Sequence, residues 1–197
     1  MLRIAIFVDG GNVFHTQYRI DYKELANFLL NKFNQCDNSV IGLKRFYTGA
    51  PVEGEVSENE SPEEFVGREE KISSQKKFWY TMEEHIGYTI IKRPLKTINK
   101  GEKGEFQKGD MDAQIAYELH KFKDEYDVLI FIAGDSDYEP VLKDLANNCG
   151  KKIIILSTRK AVAKELIKLT KPALSNIEFI DLDDIRDKVS MERRHVH

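Results

Sequence analysis

Apolar residues run along this chain in two rhythms, and the alternation between them predicts its architecture. "RIAIFVD" (3–9) is apolar without a polar break from Ile4 to Val8. So short and unbroken a run reads as a strand buried on both faces. After a loop, "DYKELANFLLNKF" sets Leu25, Phe28, Leu29 and Phe33 on one helix face. Asp21 suits the N-cap there, and Glu24 three residues on comes close to a capping box. A second strand is expected over 40–49 ("VIGLKRFYTG"). A long charged helix follows from Pro62 to His85, ending at Gly87, and then a third strand, "YTIIKRP", stopped by Pro94.

Beyond a Gly/Lys-rich loop, "DMDAQIAYELHKF" puts Met111, Ile115, Leu119 and Phe122 on one helix face, and "DVLIFIAG" (127–134) is the clearest central strand. A helix over "YEPVLKDLANNCG" closed by Gly150, a fifth strand "KKIIILS", a helix "KAVAKELIKLT" and a short last strand "IEFIDL" complete the series. Strands alternating with helices imply right-handed crossovers and a mainly parallel sheet covered on both faces, a three-layer α/β/α sandwich. Without an internal repeat or linker, residues 1–185 are expected as one domain and 186–197 as a charged tail.

Composition narrows the functional classes. At 197 residues, 41% hydrophobic and 32% charged, the chain suits one ordinary globular domain. A net charge of −3 gives no global sign of nucleic acid, so any basic surface is local. The two cysteines, Cys36 and Cys149, lie far apart without metal-ligand spacing, which suits a reduced interior and a structural or indifferent role. The N-terminal apolar run is too early and too brief for a signal peptide, and no stretch approaches the roughly 20 apolar residues that span a bilayer. A cytoplasmic protein without a membrane partner is the expectation; a homo-oligomer is compatible with the sequence.

Two segments depart in charge. Residues 53–70 hold eight glutamates against Arg68, a net of −7, and read as a mobile loop leading into a solvated helix. Residues 92–108 hold Lys92, Arg93, Lys96, Lys100, Lys103 and Lys108 against Glu102 and Glu105, a net of +4. That stretch is either a solvated loop or a phosphate-contacting one; its run into the next motif favours the second.

The candidate chemistry is acidic. Asp9 follows the first strand in "FVDGGN", and Asp135 and Asp137 follow the central strand in "FIAGDSDYEP". Open α/β sheets bind ligands at the carboxyl ends of their strands, where strand order reverses. If the two strands are neighbours there, three carboxylates converge. Asp112 in the first turn of its helix can point the same way, and Asp110 suits the N-cap. Each has an ordinary alternative: Asp9 as a turn residue, Asp110 and Asp112 as complements to the helix dipole, Asp137 as the cap of the next helix. Four carboxylates in one crevice repel one another unless a counter-ion is present. Oxygen ligands without a His cluster or Cys pair suit a hard cation, Mg²⁺ or Mn²⁺, rather than zinc.

"VDGGNVF", "KGDMDAQIAYELH" and "FIAGDSDYEPVLKDLANNCGKKIIIL" closely resemble the NYN domain, in its LabA-like branch, within the PIN-like nuclease superfamily. The similarity runs in order from Ile4 to about Asp183. It implies a sheet of order 3-2-1-4-5, with the strands ending at Asp9 and Asp135 side by side, and a metal-dependent ribonuclease site. Within it, Asp9 matches the first-strand metal ligand and Asn12 the asparagine of "DGxN". Asp112 matches the aspartate of the "KGxxD" helix start, and Asp135 and Asp137, with Ser136 between them, match the acidic pair. The family's later "S…L…AD.F" pattern is met only loosely, with the expected Asp replaced near Ser175-Asn176.

The implied reaction is hydrolysis of RNA phosphodiester bonds, with a metal on Asp9, Asp112 and Asp135. Asp137 would hold a second ion or orient water, and Asn12 and Ser136 would hydrogen-bond phosphate or a ligand water. Lys108 and the basic loop would position the RNA backbone. Tyr138 and Phe14 read either as base-stacking platforms or as core, and His15 lies near the site by sequence. The alternatives are a Toprim-like phosphotransfer domain, whose first strand calls for a glutamate where Asp9 stands, and a non-catalytic RNA-binding or regulatory module. A dehydrogenase lacks its G-x-G-x-x-G.

Overall fold

Strand β1 (Leu2–Asp9) is buried from Ile4 onward because both of its faces are covered. Ile4, Ile6 and Val8 enter one core and Ala5 and Phe7 the other, as the two-residue period of a strand requires. The computed structural model describes residues 1–13, 18–33, 38–51, 61–98, 106–108, 111–171 and 176–191, with the backbone alone for 12, 96–98 and 106–108.

The other strands are β2 (Ser39–Ala50), β3 (Thr89–Pro94), β4 (Lys96–Ile98), β5 (Phe106–Lys108), β6 (Val128–Ile132), β7 (Lys152–Ser157) and β8 (Ile177–Asp181). Six of them form one sheet in the order β3-β2-β1-β6-β7-β8, every neighbouring pair parallel. Counting only these six along the chain, the order is 3-2-1-4-5-6: the expected arrangement with one more strand at the edge. β1 and β6 are neighbours, paired from Ile4↔Val128 to Val8↔Ile132. The order therefore reverses between the strands that end at Asp9 and at the Asp135 turn.

The helices are α1 (Gly10–Val13), α2 (Tyr22–Phe33), α3 (Pro62–Thr81), α4 (Asp112–Lys121), α5 (Glu139–Asn147), α6 (Lys164–Leu169) and α7 (Arg186–Val189), with a π turn at Met82–Ile86 after α3 and 3₁₀ turns at Lys123–Glu125 and Ser136–Tyr138. Leu25 and Leu29 of α2, Trp79 of α3 and Val189 of α7 pack on one face of the sheet. Ile115 and Leu119 of α4, Leu142 and Leu145 of α5 and Leu166 of α6 pack on the other.

Several local expectations change. Asp21 caps α2, its Oδ1 accepting from Lys23 N and Glu24 N at 3.1 Å each. The reciprocal bond expected from Glu24 is replaced, because Asp21 N donates to Val189 O at 2.7 Å. Residues 186–191, the beginning of the stretch expected as a charged tail, fold back, with Val189 fully buried and Ser190 bridged to Ile20. The capping box sits instead at Ser61 and Glu64, ahead of α3. The basic segment is not all loop: β4 and β5 pair antiparallel, Lys96 opposite Lys108. The helix expected over 160–170 begins only at Lys164 because Ala163 is extended (ψ 143°) and its N–H is taken by Gly134 O at 2.7 Å.

Candidate metal centre

Asp9 ends β1 and is 7% exposed. Its Oδ1 accepts from Gly11 N at 3.0 Å, which turns the chain directly into α1. A Cβ on Gly10 would lie 2.5 Å from Tyr47 O and 2.9 Å from the Phe46 ring, so only glycine allows this close passage of the chain over β2. Across the β1–β6 boundary, Ser136–Tyr138 form a single 3₁₀ turn, and Asp135 caps it by accepting from Asp137 N at 3.0 Å. Asp137 is not the cap of α5; Tyr138 occupies that position, and its side chain makes no capping bond to the helix. Asp112 lies in the first turn of α4, behind Met111 as N-cap. The N-cap role expected of Asp110 thus falls to Met111, and Asp110 itself lies outside the described residues.

Asp112, Asp135 and Asp137 each place a carboxylate oxygen within 4.8 Å of the others. Asp9 joins them through Tyr138, whose hydroxyl donates to Asp112 Oδ1 at 2.7 Å and lies 3.0 Å from Asp9 Oδ2. Tyr138 is fully buried, its ring edge-on to Phe131 at 4.8 Å between centroids. It is therefore a core residue and not the base-stacking platform that its neighbourhood in sequence allowed. Burial first, and then the Asp9 and Asp112 carboxylates, push its hydroxyl far above the ordinary tyrosine range, so it remains a donor. One hydroxyl proton stands between two carboxylates, with two more acids beside them. A donor set made only of carboxylate oxygens with this excess of negative charge fits a hard divalent cation.

Ser136 is half-buried within the turn between the two acids, and Asn12 lies in α1 at the same edge, its side chain outside the described residues. Phe14 and His15 also fall outside them. Lys92 and Arg93 are exposed near the end of β3, Lys92 Nζ standing 4.5 Å from the centre of the Trp79 ring. The backbones of Lys96 and Lys108 are paired in the hairpin, which follows β3 at the carboxyl edge of the sheet, while Lys100 and Lys103 lie outside the described residues.

A buried network fixes the helix that carries Asp112. Glu118 of α4 is 8% exposed and accepts from Tyr47 hydroxyl at 2.6 Å and Gln114 Nε2 at 3.2 Å, with Arg45 Nη2 at 2.6 Å. Burial pulls the Glu118 carboxyl upward in pKa, but the bonds from Tyr47 and Gln114 and the Arg45 charge outweigh it and leave it below its ordinary value. Sequence reasoning missed this network, and the Tyr138 bridge with it, because their partners come from distant segments. A second mixed group, His120, Asp144 and Cys149, gathers at the far ends of α4 and α5. Its carboxylate is already held by Asn148 at 2.7 Å and by His120 at 3.3 Å.

Among the described residues no helix is long and apolar enough to cross a membrane. The chain is 25% identical to the low amplitude and bright protein LabA of Synechococcus elongatus, over 98% of this chain and 90% of that protein. Its fold matches the crystal structure of a protein of unknown function from Vibrio parahaemolyticus, with a TM-score of 0.61, 18% identity, and 95% and 96% of the two chains covered. The family model for the NYN domain, a branch of the PIN-like nuclease superfamily whose members are generally nucleases, matches residues 3–178. With its strand order and its acidic crevice at the β1–β6 reversal, the chain belongs to the NYN domain family.

Proposed function

We propose that this protein is a ribonuclease that hydrolyses RNA phosphodiester bonds with the help of Mg²⁺ or Mn²⁺. The observation that carries the reading is the convergence of Asp112, Asp135 and Asp137 within 4.8 Å, beside an Asp9 tied to Asp112 through Tyr138. Asp112, Asp135 and Asp137 would hold the cation, with Asp9 completing the negative field around it. When bound, the cation supplies a water of lowered pKa and neutralises charge growing on the scissile phosphate.

The rest is the work of this chain's own groups. Tyr138 sets the spacing of Asp9 and Asp112, and the Glu118–Arg45–Tyr47 network holds α4 in register with β2, so the acids are fixed before substrate arrives. Asp135 shapes the turn that aims Asp137. The Ser136 hydroxyl, and Asn12 from the opposite strand end, would hydrogen-bond a phosphate oxygen. Lys92, Arg93, Lys96, Lys100, Lys103 and Lys108 would hold the RNA backbone on the β3 side of the crevice without reading its sequence.

Incubation of the purified chain with labelled single-stranded and structured RNAs, in Mn²⁺, Mg²⁺ or EDTA, tests the proposal. Cleavage that needs the cation and is lost in Asp112→Asn supports it. Intact RNA under every condition, with a folded protein, refutes it.

A further inference from the structure

The strongest concentration of positive charge lies not in the 92–108 segment but on the opposite side of the acidic crevice. Residues 151–171 carry Lys151, Lys152, Arg159, Lys160, Lys164, Lys168 and Lys171 against Glu165 alone. Lys152, Arg159, Lys164, Lys168 and Lys171 line one groove between α6 and the edge strand β8, floored by Ile177 and Phe179. Its volume of about 1060 Å³ is at the upper end of the small-ligand range and suits a polymer segment.

The stripe follows from helical geometry. Lys164, Lys168 and Lys171 recur at intervals of four and three and are all exposed, whereas Leu166 and Leu169 of the same helix are buried. Lys171 lies two residues past α6, its N–H reaching Lys168 O at 3.4 Å in a 3₁₀-type turn, so the three lysines are spread over on the order of 10 Å along the helix direction. Glu178 on the groove wall is engaged by Lys32 at 2.8 Å and does little to offset the stripe. Arg159 is pinned to Asp181 at 2.7 Å and marks the groove's end at the carboxyl edge of the sheet.

The groove runs from the carboxyl edge of the sheet, at Arg159 and Lys164, back to its amino edge, at Lys152 and Lys171, and its near end is tied to the acidic turn. Ala163 N donates to Gly134 O at 2.7 Å, joining the residue before Lys164 to the residue before Asp135. We infer that the α6–β8 groove is the second half of the RNA track, holding the sugar-phosphate backbone on the β7–β8 side of the acidic crevice. This rests on the ribonuclease reading. A membrane surface fits the groove poorly: an interfacial helix exposes apolar residues beside its lysines, and here those residues are spent in the core. An acidic protein segment would answer the charge but not the continuity with the acidic site.

The test is RNA binding over a range of salt in EDTA, so that no turnover is needed, with a labelled single-stranded RNA oligonucleotide. The variant is Lys164→Ala/Lys168→Ala/Lys171→Ala, whose thermal melt should match the parent because all three side chains are exposed. Each lost contact to a single strand lowers the salt slope by about 0.7, so the triple change should lower it by about 2 and weaken binding on the order of tenfold at low salt. The single reversal Lys168→Glu should weaken binding in the same direction. Cleavage at saturating RNA should persist, because the acids are untouched. An unchanged slope in a cleaving enzyme overturns the groove and leaves the ribonuclease reading standing. RNA held by the groove without cleavage by the parent protein does the reverse. Binding to anionic lipid vesicles or an oligo-glutamate peptide through these lysines, with no RNA binding, overturns the inference.

Discussion

Replacing Tyr138 with phenylalanine isolates the contact that joins the two sides of the acidic crevice. The ring, its burial and its edge-on packing against Phe131 remain, and only the hydroxyl between Asp112 Oδ1 and Asp9 Oδ2 is removed. A hydrogen bond to a charged acceptor contributes about 1.5–3 kcal/mol. The two carboxylate oxygens lie 2.7 and 3.0 Å from that hydroxyl, hence at most about 5.7 Å apart, and at an effective dielectric near 20 they repel by about 3 kcal/mol once nothing stands between them. The two figures describe one interaction and do not add, so Tyr138→Phe should lose about 2–3 kcal/mol in EDTA. A cation in the crevice offsets that repulsion, so the loss should shrink to about 1 kcal/mol in saturating Mg²⁺. Urea denaturation of both proteins, with and without Mg²⁺, measures the difference directly. An equal loss under both conditions would mean that the hydroxyl serves packing alone, and no loss in EDTA would refute the bridge.

Three further outcomes follow from the same geometry. Asp135→Asn should keep the turn, since an asparagine oxygen accepts the Asp137 N–H equally well, and should be as stable as the parent or more so without metal, yet lose hydrolysis; a clearly lowered melt in EDTA would reduce Asp135 to a structural cap. Gly10→Ala should cost about 1–3 kcal/mol and impair cleavage, because the new methyl meets a β2 carbonyl, whereas a parent-like melt would show that the passage over β2 is loose. Glu118→Gln should cost about 3 kcal/mol at neutral pH by leaving Arg45 short of its partner. Because the Glu118 pKa is lowered from 4.5 on folding, its stabilisation is present above that pH and is lost as pH falls below it. The Gln variant should therefore show a flatter acid limb, and parallel limbs would contradict the assignment.

What was legible in the sequence was whatever a single segment states about itself. The unbroken run from Ile4 to Val8, too short for a buried helix, reads as a strand covered twice, and the helical spacing of Ile115 and Leu119 marks a core-facing side. The meeting of Asp9 with the Asp135 turn needed the strand order, which periodicity does not carry and the family resemblance supplied. Tyr138 could not be placed from its neighbours, because a tyrosine behind an acidic turn reads the same whether its ring faces bases or Phe131. The α6 lysines escaped because apolar residues separate them; the positive excess is plain only when the helix turns them to one side. Asp21 lost its expected box partner to Val189, a residue 168 positions later in the chain, which no local pattern could announce.

Whether Asp112, Asp135 and Asp137 share a hard divalent cation decides the ribonuclease reading. Titration of Mn²⁺ into the purified chain, following the free-ion signal by electron paramagnetic resonance, tests it without RNA or turnover. Saturable binding is expected, displaced by Mg²⁺ and strongly weakened in both Asp112→Asn and Asp135→Asn while the proteins remain folded. Mn²⁺ binding of equal strength in the parent and both variants, or none in the parent, would contradict it.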